Sequence, residues 1–126
     1  LKLNHINLPV ADVAVTRDFF SKYFGMKTTF ELPKNSLVIM RDEGGLILNL
    51  SHFDKKSEIQ YHKDFHVGFF VESRDQVDSI HAQMTADGIE VDPPRQLQGR
   101  WTFYVDAPGG FQVEVGCLLE GASWAH

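Results

Sequence analysis

Apolar and polar positions alternate in Leu3-Asn4-His5-Ile6-Asn7-Leu8-Pro9-Val10, the two-residue period of a strand with one covered face. The period then changes. Phe19, Phe20, Tyr23 and Phe24 fall at 1-2-5-6 spacing, which makes one apolar stripe on a helix. Asp12 stands where a cap belongs and Gly25 where a helix ends. Three extended runs follow, at 27–31, 36–41 and 45–51, with Gly44-Gly45 as the turn before the last. The plan then recurs. Residues 65–71 read as a strand, Ser73 to Gln76 as a capping box, and Val77, Ile80 and Met84 as a helical stripe ending at Gly88. Extended runs are expected at 89–91, 102–106 and 112–117, with Ala107-Pro108-Gly109-Gly110 as the hairpin turn.

The offsets support a repeat: 61 positions from His5 to His66, 63 from Gly25 to Gly88 and 65 from Asn49 to Glu114. Short loop insertions produce that kind of one-directional drift. Each half reads as strand, helix and three strands, so the fold class is α+β with paired βαβββ modules. The expected boundaries are a first module at 1–52, a polar linker at 53–63, a second module at 64–120 and a tail at 121–126. About 50 residues make a marginal core alone, so the halves are expected to act as one domain.

Composition narrows the function. With 126 residues, 43% hydrophobic, 23% charged and 10 Phe, the chain is an ordinary globular sequence rather than a disordered one. Twelve Lys and Arg against 17 Asp and Glu give a net charge of −5, which does not suit non-specific nucleic-acid binding. The densest charge run, Asp54-Lys55-Lys56, has mixed sign. No stretch is long enough to span a membrane, and no basic segment followed by an apolar one suggests a secretory signal. The first residue is Leu1 rather than Met, so a few residues are expected to precede it. Cys117 is the single cysteine; it leaves no internal disulfide and suits a reducing cytoplasm.

The repeat places one polar residue at matching points in each half. His5 and His66 open equivalent strands, while Asn49 and Glu114 sit between apolar neighbours in equivalent last strands. Alternation points Glu114 away from Val113 and Val115, and a carboxylate in a half-buried strand needs a partner. Two readings follow from the residues. His5, His66 and Glu114 form a two-histidine, one-carboxylate triad for a divalent metal, or the histidines bond backbone and Glu114 pairs with an arginine.

The segments His5-Ile6-Asn7-Leu8-Pro9-Val10-Ala11-Asp12, Phe19-Phe20 and Phe24-Gly25-Met26 resemble the opening of vicinal oxygen chelate proteins. These include glyoxalase I, extradiol dioxygenases, fosfomycin-resistance transferases and bleomycin-resistance proteins. The run from Phe103 to Glu114, with its Asp-Ala-Pro-Gly-Gly turn, is similar to the family's usual ending. The resemblance spans about residues 3–118 and implies two βαβββ modules around an open, barrel-like cleft. It implies His5, His66 and Glu114 as ligands for a divalent metal (Zn, Ni, Mn, Fe or Co). It also implies a small oxygen-chelating substrate and a Lewis-acid lyase, transferase or dioxygenase reaction. The glyoxalase I pattern has a Glu where this chain has Asn49, which cannot take a proton near neutral pH but can coordinate weakly or bond a water. The resemblance implies a substrate-facing hydroxyl for Tyr104, ten positions before Glu114, and Thr102 shares its face by alternation.

Arg95 and Arg100 bracket a loop and offer guanidinium groups to an anionic substrate; the potassium-binding, lysine-containing loop of the fosfomycin transferases is not found there. Phe70, Trp101 and Trp124 are candidate pocket aromatics. His52 and His62 flank the linker as further acid–base candidates, and His81 reads as structural. The rival expectation is a metal-free, bleomycin-resistance-type antibiotic-binding protein, suited by the aromatic content and acidic balance. The resemblance implies a homodimer, with sites often built from both subunits.

Overall fold

The computed structural model describes residues 1–121. Trp124 and most of the expected tail therefore lie outside the described residues. The chain forms two compact units: Leu1–Tyr61 with Ala107–Gly110, and His62–Asp106 with 111–121. Each carries one helix and one four-stranded sheet.

In the first unit the elements are β1 (His5–Pro9), α1 (Val13–Phe24), β2 (Lys27–Leu32), β3 (Leu37–Arg41) and β4 (Ile47–Ser51). The sheet order is β1-β4-β3-β2, with β1 parallel to β4 and the other pairs antiparallel. A parallel pair needs a long crossover, here made of α1, β2 and β3. Asp12 caps α1 from an extended conformation and accepts from the Val15 N–H at 3.1 Å. Asn35, in a left-handed conformation at φ 55°, holds the same helix end: its Oδ1 accepts from Ala14 N–H and its Nδ2 donates to Asp12. Gly25 ends the helix at φ 65°, where a Cβ would be strained. Phe20 and Val13 are buried with Leu8, Val38, Met40, Leu48 and Leu50, the alternate residues of β1, β3 and β4. Each such side chain contributes about 1.5–3 kcal/mol when removed from water.

The second unit repeats the plan with β5 (His66–Phe70), α2 (Arg74–Ala86), β6 (Arg95–Leu97), β7 (Arg100–Asp106) and β8 (Gln112–Leu118), in the order β5-β8-β7-β6. Ser73 and Gln76 form the expected reciprocal capping box. Val77 and Met84 of α2 are fully buried, and Val113, Val115, Phe103, Val105 and Cys117 supply the core on the sheet. One element differs from expectation. Residues 89–91 are not a strand; the edge strand is Arg95–Leu97, after Pro93-Pro94. Two consecutive prolines offer no backbone donor, so sheet pairing resumes only beyond them. Among the described residues, no helix is long and apolar enough to cross a membrane.

Candidate functional site

Because Val113, Val115 and Cys117 lie in the core, the alternate residues Glu114 and Gly116 face the other side of the second sheet. Register places Gly68 and Tyr104 beside Glu114, and Phe70 and Thr102 beside Gly116. The two glycines open this face. A Cβ at Gly68 would stand 3.4 Å from Glu114 Cβ and 3.9 Å from its Oε1, and one at Gly116 would press to 3.0 Å from Thr102 Oγ1.

Glu114 is buried, with 6% of its surface exposed, and its two oxygens have different surroundings. Oε2 accepts from Arg100 Nε and, at 2.7 Å, from the Thr102 hydroxyl. Oε1 faces His66 Nε2 at 3.6 Å. His66 Nδ1 lies 3.1 Å from the Asp64 carbonyl, which can only accept, so the hydrogen bond places a proton on Nδ1. In the neutral ring Nε2 is then a bare lone pair, set against a carboxylate lone pair. The rings of His66 and Tyr104 meet edge to face at 5.3 Å. Arg100 reaches the Tyr104 oxygen at 2.8 Å, and the Glu114 carboxylate holds the Arg100 pKa above its ordinary value against the opposing effect of burial. A cavity of about 790 Å³ borders His66, Thr102, Tyr104, Arg95 and Gln98. Another of about 450 Å³ borders Phe70, Gln98, Arg100 and Glu114.

The structure thus brings together Glu114, His66, Thr102, Tyr104 and Arg100 on one face, with Phe70 more than half exposed beside them. It does not bring Trp101 there. Trp101 alternates onto the helix side, donates to Asp78 at 2.8 Å and lies under the Arg74 guanidinium. Arg100 is also placed differently from a free anion clamp, because its nitrogens already bond protein acceptors. Arg95 sits exposed opposite Thr102 on the cavity wall. His81 bonds the Val91 carbonyl and packs on Phe103, a structural role. His62 accepts from the Asp64 backbone N–H. Sequence reasoning missed Gly68, Gly116, Gln98 and the Asp64 carbonyl. Counting two residues on from His66 and from Glu114 would have found both glycines.

In the first unit, His5 is exposed, with Nδ1 2.7 Å from Asn4 Oδ1. Asn49 pairs with Asn7 and Ile39, and its buried Oδ1 has no hydrogen-bond partner among the described residues. Among the described residues, no three His, Cys, Asp or Glu side chains form a group able to hold a metal ion. Within the second unit, His66 Nε2 and Glu114 Oε1 fit two positions of a divalent centre. Either a proton on Nε2 or a metal ion makes this contact favourable, and the Nδ1 bond to a carbonyl is the support that histidine ligands commonly have.

This βαβββ pair, with a carboxylate and a histidine converging on one open face, matches the profile of the Glyoxalase/Bleomycin resistance protein/Dioxygenase superfamily over residues 2–115. The chain belongs to that superfamily, whose members include the vicinal oxygen chelate enzymes. A possible glyoxalase from Bacillus cereus is 45% identical, with 93% of this chain and 99% of that one covered at a TM-score of 0.85. The fosfomycin resistance protein FosX from Listeria monocytogenes is 25% identical, with 93% of each chain covered and a TM-score of 0.72. A lactoylglutathione lyase from Agrobacterium tumefaciens shares the fold at 22% identity and a TM-score of 0.76, with 99% of this chain and 97% of that one covered. Comparison with the curated proteins gives no match.

Proposed function

We propose that the chain is a metal-dependent enzyme acting on a small substrate with two neighbouring oxygens. The observation that carries this reading is that His66 Nε2 and Glu114 Oε1 face each other 3.6 Å apart on the open face, with His66 Nδ1 bonded to the Asp64 carbonyl. These two residues would hold a divalent transition metal, with His5 as the third ligand by family resemblance. When bound, the ion supplies Lewis acidity to a substrate oxygen that gains negative charge. Thr102 anchors Glu114 by donating to Oε2. Tyr104 donates its phenolic proton to the charged substrate oxygen, because the phenol oxygen already accepts from Arg100. Asn49, whose Oδ1 has no partner among the described residues, offers an acceptor to a water or substrate hydroxyl rather than a base. Arg95 is the guanidinium left for an anionic substrate group, and Phe70 an apolar contact. The likeness to FosX and to the possible glyoxalase supports an enzyme of this superfamily without choosing among lyase, transferase and dioxygenase. A homodimer fits the exposed apolar residues Phe30 and Leu32 on one face of β2, and light scattering of purified protein tests it.

The test is elemental analysis of tag-free protein with thermal melts in chelator and in added Mn, Fe, Co, Ni or Zn. The expected result is about one ion per chain and ~2.7 kcal/mol of stabilisation at a hundredfold excess over Kd. Both are lost in His66→Ala and in Glu114→Gln, which keeps a partner for Arg100. A second reading, metal-free binding of an aromatic antibiotic, is favoured by one observation: Glu114 Oε2 is satisfied by Arg100 and Thr102 without a metal. Metal-free protein with unshifted melts and chelator-insensitive drug binding would establish it instead.

A further inference from the structure

Arg100 opens β7, opposite Leu118, with only 8% of its surface exposed. Its guanidinium carries donors in a rigid plane and no acceptor. Nε donates to Glu114 Oε2, and Nη2 donates to the Tyr104 oxygen at 2.8 Å. Nη1 donates to the Leu97 carbonyl at 3.3 Å and to Gln98 Oε1 at 3.2 Å. The last two acceptors come from the β6–β7 turn, where Gln98 at φ 47° and Gly99 at φ 77° turn the chain back toward the guanidinium. One side chain is therefore bonded to both candidate functional groups of the open face and to the turn beside them.

We propose that Arg100 is a positioning residue that decides which oxygen of Glu114 stays open and which way the Tyr104 hydroxyl donates. A carboxylate has two equivalent oxygens, and either can turn toward His66. With Arg100 and Thr102 both on Oε2, the open one is Oε1. A phenol has one proton and can swing between donor and acceptor roles. With Arg100 donating to its oxygen, the proton of Tyr104 must point away from the guanidinium, and Tyr104 borders the 790 Å³ cavity. The guanidinium thus acts through Glu114 and Tyr104 and not by clamping substrate. A lysine keeps the charge, but its ammonium is a point donor without the planar fork, so it cannot hold both acceptors in this geometry. The orientation of Tyr104 stands on the chain's own hydrogen bonds; the use made of Glu114 rests on the metal-centred reading.

The experiment is NMR of metal-free protein carrying 13Cζ-labelled tyrosine, with the Tyr104 resonance assigned by Tyr104→Phe, followed by titration with Ni²⁺. In Arg100→Lys the Tyr104 Cζ resonance is expected to move while those of Tyr23 and Tyr61 stay. Ni²⁺ affinity is expected to fall about 10- to 100-fold, the usual effect of losing a group that orients a ligand. Gln98→Ala, on an exposed turn, removes one support and leaves Arg100 in place; it is expected to move the same signal less, and it serves if Arg100→Lys does not fold. A guanidinium that served only as counter-charge would leave both readouts unchanged in Arg100→Lys. An unmoved Cζ resonance in the folded variants overturns the proposal, as does unchanged affinity where the wild type binds Ni²⁺. If the wild type binds no Ni²⁺, the metal reading fails and the Tyr104 signal alone decides the role of Arg100.

Discussion

The two sheets have the same strand order and the same alternation, but their open faces carry different chemistry. At the centre of the first sheet, Asn7, Asn49 and Ile39 lie side by side; at the matching place in the second lie Gly68, Glu114 and Tyr104. Where the first sheet has the side chain of Asn7, the second has a glycine that leaves Glu114 Oε1 uncovered. Where the first has an amide oxygen with no partner, the second has a carboxylate bonded through Oε2 and open at Oε1. Core packing tolerates duplication because it needs only apolar residues of suitable size. A polar face needs particular donors and acceptors, so the two sheets share their packing pattern and differ in the groups at their centres.

The largest test of this contrast is to remove the central polar residue from each sheet. Glu114→Ala leaves the buried Arg100 without its counter-charge and is expected to cost about 3–5 kcal/mol in chemical denaturation. Asn49→Ala is expected to change stability by about 1 kcal/mol or less, because losing an unsatisfied acceptor offsets the lost packing. Equal losses would erase the distinction. Next comes Gly116→Ala, whose Cβ would stand 3.0 Å from Thr102 Oγ1. It is expected to cost about 1–3 kcal/mol by overpacking, whereas Ser51→Ala at the matching site already has its Cβ and should cost less.

The helix caps give a smaller contrast, in pH dependence. Asp12→Ala and Ser73→Ala are each expected to cost about 1 kcal/mol near neutral pH. The Asn35 amide, then the Val15 N–H, hold the Asp12 carboxyl below its ordinary value of 3.8. A carboxyl depressed in the folded state stabilises fully above its unfolded pKa and loses that contribution as pH falls through its folded value. The gap between wild type and Asp12→Ala should therefore narrow in acid melts below about pH 4, while the Ser73→Ala gap persists because a hydroxyl does not titrate there.

Most of the fold was legible because its signals are local. Asp12, Gly25, Ser73 and Gln76 mark helix ends through bonds within four residues, and the offsets between His5 and His66 and between Asn49 and Glu114 expose the duplication. The edge strand at 95–97 was displaced from the expected 89–91 because the Pro93-Pro94 pair overrides the apolar pattern before it. At the site, the alternation around Glu114 was readable, but its partners were not. Arg100 lies four residue pairs along the sheet from Glu114, on the same face, and reaches it by leaning along the strand, so only the β7–β8 register and a rotamer reveal the bond. Trp101 reads as a pocket aromatic until strand parity puts it over α2. Of the two readings of Glu114 open at the sequence level, the hydrogen bonds seen belong to the second: Glu114 pairs with Arg100 and His66 bonds a backbone carbonyl, while the metal triad stands as the proposal above.

The central claim is that His66 offers Nε2 to a metal beside Glu114. Long-range 1H–15N NMR of the histidine rings, before and after titration with Zn²⁺, tests it directly, with His66 assigned by His66→Ala. The account predicts a proton on Nδ1 in metal-free protein and a shift of Nε2 on adding the ion, absent in Glu114→Gln. A ring protonated at Nε2, unmoved by Zn²⁺, would contradict it.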